Sequence, residues 1–118
     1  MATAYIDEVN QQLDRYLRDS GFAPTALQGL AIADLQQLSR VSTEALVDLC
    51  HRVHAAQPGA EGLLISCGGL VRLEAVRRVE AELGLPVVSS SPAGFWDLLH
   101  TAGRDPASPG SGRLFTRP

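Results

Sequence analysis

The chain has 118 residues, enough for one domain that hides about two thirds of its unfolded surface, and its 45% apolar and 19% charged content is that of a globular protein. A formal net charge of −3, with its ten basic residues all arginines and scattered, excludes the concentrated basic face that nucleic acid requires. No basic-then-apolar leader is visible and no apolar run approaches the roughly 20 residues that span a bilayer, so a cytoplasmic protein without membrane contact is expected.

Ala2-Thr3-Ala4-Tyr5 has the character of the last residues of a strand, either frayed or supplied elsewhere, because a helix follows at once. That helix carries Ile6, Val9, Leu13 and Leu17 at helical spacing and ends at the cap Gly21. Pro24 to Leu30 is a short strand, and Ile32, Leu35 and Leu38, three apart, form a helical turn after it. Ser42 or Thr43 caps the next helix, whose inward stripe is Leu46, Leu49, Cys50 and Val53 before Gln57-Pro58-Gly59 stops it.

Gly62 to Ser66 is a continuous apolar run, as in a strand covered on both faces, and Cys67-Gly68-Gly69 makes a tight turn at its end. Leu70, Leu73, Val76 and Leu83 mark a third helix closed by Gly84, and Pro86-Val87-Val88 is a further strand. Ser89-Ser90-Ser91 offers an N-cap, with Pro92 suited to the first helical position and Phe95, Trp96, Leu98 and Leu99 forming the apolar side of a last helix. Residues 1–103 are thus expected to form an α/β lobe in three layers, a mostly parallel sheet flanked by helices, with 104–118 a Pro/Gly/Ser-rich tail in a loop. In such a sheet the ligand crevice lies beyond the carboxyl ends of the strands, which is where Cys67 falls.

A cysteine between a buried strand and a helix start feels the positive end of the helix dipole, which can bring a thiol from about 8.5 into the range of roughly 3.5 to 7.5. Gly68 and Gly69 let a ligand approach the backbone and leave N–H groups for an anionic oxygen. Cys67 packing as a small hydrophobe, with the glycines serving only the turn, accounts for the same residues. Cys50 lies in a helical stripe and is a packing residue; with no sign of secretion, a disulfide between the two cysteines is not expected. Tyr5 closes the first strand at the same edge, where its hydroxyl could donate to an anion or simply pack half-buried.

His51 and His54 are three apart on one helix but lack a third ligand at suitable spacing, so no metal site is expected, and His100 suits a helix C-terminus. The serines 89–91 could cradle an anion or supply a cap with two solvated neighbours. No dinucleotide fingerprint or Walker lysine occurs.

Ala2-Thr3-Ala4-Tyr5-Ile6-Asp7-Glu8-Val9-Asn10, Leu64-Ile65-Ser66-Cys67-Gly68-Gly69-Leu70, the stretch from Leu85-Pro86-Val87-Val88 through Ser89-Ser90-Ser91-Pro92-Ala93-Gly94-Phe95-Trp96-Asp97, and Gly112-Arg113-Leu114-Phe115 closely resemble arylmalonate decarboxylases. That family groups with the aspartate/glutamate racemases and maleate isomerases. The resemblance implies a two-lobed racemase-like fold of which this chain is the second lobe. It also implies cofactor-independent decarboxylation of a disubstituted malonate, a small-molecule dicarboxylate, through an enediolate protonated by a cysteine thiol. Cys67 matches that cysteine. Tyr5, Cys67 and Gly68 match second-lobe members of the anion pocket, Leu35 and Leu38 match its apolar wall, and Gly69 makes room for substrate. First-lobe hydroxyl donors would be missing, so the resemblance further implies little turnover by this polypeptide alone and either a complementing first lobe or self-association through an uncovered edge. A racemase or cis–trans isomerase with two opposed cysteines, and an inactive fragment that binds a partner lobe, are the alternatives.

Overall fold

The computed structural model describes residues 1–70 and 73–116. Its elements run β1 (Ala2–Thr3), α1 (Asp7–Asp19), β2 (Gln28–Gly29), a 3-10 turn (Leu35–Arg40), α2 (Thr43–Ala56) and β3 (Leu63–Ser66). A second 3-10 turn (Gly68–Leu70), α3 (Leu73–Leu83), β4 (Val87–Ser89), α4 (Ser90–Thr101) and a third 3-10 turn (Arg113–Thr116) follow. The strands form one sheet in the order β2-β1-β3-β4 with every neighbouring pair parallel, as the alternation of strands and helices implies.

Crossovers between parallel strands are right-handed in nearly all proteins. The chain steps from β1 outward to β2, then back past β1 to β3 and on to β4, so α1 lies on one face of the sheet and α2 and α3 on the other. α2 and α3 pack on each other, and α4 packs on β3 and β4. The direction of winding reverses between β1 and β3, the point at which open α/β sheets leave a crevice at their carboxyl edge.

The core lies under α2 and α3. Ser42 accepts from the Ala45 N–H at 3.1 Å to start α2, whose expected stripe of Leu46, Leu49, Cys50 and Val53 is buried together with Val47. It meets Leu63 and Ile65 of β3 and Ala75, Val76 and Val79 of α3. Burying each of the larger of these side chains contributes about 1.5–3 kcal/mol.

Several elements depart from the sequence reading. Only Gln28 and Gly29 of the 24–30 segment pair as a strand; beyond them Ala31, at φ 53°, turns the chain so that the N–H groups of Leu30 and Ile32 both reach β1 and its continuation, at Thr3 O and Ala4 O. Leu70 is buried in its own 3-10 turn and α3 begins at Leu73, which is 37% exposed, with residues 71–72 outside the described part. In α1 the buried residue is polar: Ile6 is the N-cap, Val9 faces solvent, and Asn10 is 4% exposed. No residue of α4 is buried, and its Phe95 and Leu98 are 56% and 63% exposed.

The tail after Gly103 does not simply trail away. Glu80 of α3 is buried and its two carboxylate oxygens accept from the N–H groups of Val87 at 3.1 Å and Arg113 at 2.9 Å, joining helix, strand and tail. Phe115 is buried beside this clamp. Leaving buried donors unpaired costs about 1–3 kcal/mol each. Glu80→Ala is therefore expected to lower the stability measured by urea unfolding by about 2 kcal/mol or more, whereas Glu80→Gln, which keeps one acceptor oxygen, should lose less.

Candidate active site

The register of β1 on β3 sets Ala2 beside Ile65 and Thr3 beside Ser66. The next residues in line, Ala4-Tyr5 and Cys67, therefore leave the sheet side by side at its carboxyl edge, on adjacent strands about 4.8 Å apart. The Tyr5 hydroxyl lies 3.3 Å from Ser66 Oγ, the residue immediately before Cys67. Cys67 is a free thiol, 7% exposed, at the border of the core.

Gly68 and Gly69 open the 3-10 turn that follows, closed by the Leu70 N–H on Cys67 O at 3.0 Å. First-turn N–H groups have no partner inside their own turn, and among the described residues those of Gly68 and Gly69 have no backbone partner elsewhere. Neighbours crowd both glycines: a Cβ at Gly69 would sit 2.7 Å from Leu38 Cδ1, and one at Gly68 would sit 3.3 Å from Ser91 Oγ. Leu38 thus closes over Gly69, and the serine run after β4 borders Gly68. Ser89 occupies the N-cap position of α4 but its side chain makes no capping bond, and it is buried.

Of the residues expected in the site, Tyr5, Cys67, Gly68, Gly69 and Leu38 come together at this edge. Leu35 opens the same 3-10 turn as Leu38 but is 78% exposed and packs into no core.

A buried network beneath Tyr5 escaped the sequence reading. Thr3 Oγ1 donates to Asn10 Oδ1 at 2.6 Å, Asn10 Nδ2 donates to Tyr5 O at 3.3 Å, and the Tyr5 N–H reaches back to Thr3 Oγ1 at 3.3 Å. Gly29 of β2 fits against it so closely that a Cβ there would lie 2.5 Å from both Asn10 Nδ2 and Tyr5 O. The signal was present: Ile6, Asn10, Leu13 and Leu17 follow the i, i+4, i+7 phase of an inward helix face, with an asparagine where an apolar residue would be routine.

Other polar groups are engaged elsewhere. His51 Nε2 is 2.6 Å from Glu82 Oε2, and that contact holds the Glu82 carboxyl below its usual range. Among the described residues no group of three His, Cys, Asp or Glu is placed to hold a metal ion. Trp96 stacks on His100 with ring centroids 5.1 Å apart. Among the described residues no helix is long and apolar enough to cross a membrane.

The family model described as arylmalonate decarboxylase matches residues 1–115. The chain belongs to the arylmalonate decarboxylase family. It is 51% identical over 116 residues to the arylmalonate decarboxylase of Bordetella bronchiseptica, covering 98% of this chain and 48% of that protein. A crystal structure of arylmalonate decarboxylase superposes with a TM-score of 0.88 at 50% identity, over 97% of this chain and 50% of the other. A maleate isomerase of Nocardia farcinica is 27% identical over 97% of this chain and 45% of its own length. The chain spans about half the length of the curated relatives it matches.

Both cysteines, Cys50 and Cys67, are buried free thiols. Burial pushes the Cys50 thiol up from 9.0 to about 12, so it is protonated at neutral pH. Because unfolding releases a thiol that ionises at its ordinary value, stability contributed by the protonated, buried Cys50 is present below pH 9 and is lost as pH rises toward about 12. At pH 8 iodoacetamide is expected to alkylate Cys67 in the folded chain and Cys50 only after denaturation, which peptide mass mapping would read.

Proposed function

We propose that this chain supplies the second lobe of a cofactor-independent decarboxylase acting on disubstituted malonates of the aryl type. What supports the reading is that Tyr5 and Cys67 follow the paired ends of β1 and β3 at the switch point of the sheet, with the Tyr5 hydroxyl on Ser66 Oγ and with Gly68 and Gly69 N–H groups that have no backbone partner among the described residues. Family membership and 51% identity to a named arylmalonate decarboxylase support it.

In this reading the substrate places one carboxylate against the N–H groups of Cys67 and Gly68 and the O–H of Tyr5. The bond to the other carboxylate breaks, carbon dioxide leaves, and the electron pair moves into an enediolate whose two oxygens carry the charge. Donors already aimed at those oxygens stabilise the transition state more than the substrate. The Cys67 thiol then gives its proton to the carbanion carbon, and water restores the thiol. Leu38 forms the apolar wall against which the leaving carboxylate loses its hydration, favouring release as neutral carbon dioxide. Gly69 leaves room for the substrate.

A complementing first lobe would supply further hydroxyl donors. Each oxyanion donor is worth about 2.7–4 kcal/mol, so two missing donors would cost about 5–8 kcal/mol. The exposed Phe95 and Leu98 of α4 offer apolar surface through which such a lobe, or a second copy, could dock. A second reading is favoured by the maleate isomerase relative: a two-cysteine isomerase, with the second thiol supplied by the complementing lobe.

Two tests follow. The chain alone should show at most trace release of carbon dioxide from phenylmalonate, and mixing with the first half of the Bordetella relative should restore it; substantial turnover by the chain alone would contradict the shared-site reading. In the polypeptide joining that half to this chain, Cys67→Ala should reduce product formation by about a thousandfold or more, comparable to losing an essential proton donor, and unchanged activity would refute the assigned role.

A further inference from the structure

Ser66 closes β3 after the apolar Leu63-Leu64-Ile65 and is 7% exposed. A hydroxyl buried there costs stability unless it is hydrogen-bonded. Among the described residues its side chain has one hydrogen-bond partner, the Tyr5 hydroxyl at 3.3 Å, and that hydroxyl in turn is bonded to Ser66 alone. What the phenol can offer an anion is therefore set by this bond.

The register explains how the two hydroxyls meet. Thr3 and Ser66 are partners across β1 and β3, so their side chains turn to one face of the sheet, the face on which Asn10 of α1 receives the Thr3 hydroxyl. Tyr5, two residues after Thr3, returns to that face. The tyrosine is held at both ends: its carbonyl accepts from Asn10 Nδ2, its N–H reaches Thr3 Oγ1, and its phenol lies on Ser66.

The pair shares two protons and one bond, and burial decides which oxygen donates. If Tyr5 donated to Ser66, the Ser66 proton would be left in the buried strand end, where no other acceptor is in reach among the described residues. With Ser66 donating, the spare proton is the phenolic one. It then sits on a residue that is only half-buried and that follows the end of β1 at the carboxyl edge of the sheet. Hydroxyls bonded in series polarise one another, so accepting from Ser66 also makes the phenol a stronger donor.

We propose that Ser66 is a positioning residue of the anion site: its O–H donates to the Tyr5 oxygen and so directs the phenolic proton to a carboxylate or enediolate oxygen of the substrate. Ser66 itself does not touch the substrate. The inference rests on the anion-donor role given to Tyr5 above.

Tyr5 and Tyr16 are the two tyrosines of the chain, and Tyr16 is 68% exposed, so tyrosine labelled with carbon-13 at the ring carbon bearing the hydroxyl gives one reporter and one reference. In the folded 118-residue chain Ser66→Ala should shift the Tyr5 signal and leave that of Tyr16 in place, and an unmoved Tyr5 signal would overturn the bond. The positioning role is read in the polypeptide joining the first half of the Bordetella relative to this chain. There Tyr5→Phe should lower kcat for phenylmalonate by about 100-fold, the effect of one oxyanion donor. Ser66→Ala should lower kcat by about tenfold with KM within about twofold, as for a contact that matters only in the transition state. Because Ser66 acts through the phenol, adding Ser66→Ala to Tyr5→Phe should cost nothing further, a coupling that general loosening of the strand would not produce. Should Ser66→Ala not fold, Ser66→Cys, close in size and a weak donor, takes its place. A silent Ser66→Ala beside a costly Tyr5→Phe, or losses that multiply in the double variant, would overturn this proposal alone. A silent Tyr5→Phe would overturn the donor role of Tyr5 and this proposal with it.

Discussion

The short parallel pairing of β1 with β3 is the constraint on which the site depends. Ala2 beside Ile65 and Thr3 beside Ser66 determine that Tyr5 and Cys67 emerge next to each other. A slip of one residue would turn Tyr5 to the opposite side of the sheet and part its hydroxyl from Ser66 Oγ. Two residues of pairing are little to hold a register, and the Thr3–Asn10–Tyr5 network supplies the remainder: a buried helix residue ties the end of the strand to the loop that carries the tyrosine. Gly29 seals that network from the β2 side, so the tyrosine is held from three elements at once.

The two faces of the sheet differ in what they bury. Under α2 and α3 the side chains are apolar and closely packed, and Cys50 is so far from water that its thiol holds its proton to about pH 12. On the α1 side the helix buries one polar residue and leaves Tyr16 and Phe22 near its end exposed, while α4 buries none. Stability is therefore concentrated on the α2 and α3 face. The Glu80 carboxylate carries that stability across to β4 and the tail, and β4 leads directly into the serine run that borders Gly68.

Much of this was legible in the sequence because it rests on local chemistry. The apolar run ending at Ser66 and the stripe from Leu46 to Val53 each have one inexpensive solution, a covered strand and an amphipathic helix, and the alternation of such elements implies a parallel sheet. The Cys67-Gly68-Gly69 turn declared itself through its residue types. What could not be read locally depends on distant partners. Asn10 becomes a core residue only because Thr3 and Tyr5 are there to satisfy its amide, and Glu80 only because the N–H groups of Val87 and Arg113 converge on it. Leu38 closes over Gly69 while Leu35, on the same turn, points to water, a difference that spacing of three does not resolve. In the tail, proline, glycine and serine masked a short turn that Phe115 anchors.

The central claim is that the Tyr5 hydroxyl and the Cys67 thiol face one anion. The most direct measurement is the rate of Cys67 alkylation in the two-lobed polypeptide as an unreactive arylphosphonate is titrated in, compared with Tyr5→Phe. The account predicts saturable protection of Cys67, with the Tyr5→Phe protein needing about 10- to 100-fold more ligand, the effect of one hydrogen bond to a charged group. Alkylation that is indifferent to the ligand, or protection unaltered by Tyr5→Phe, would contradict it.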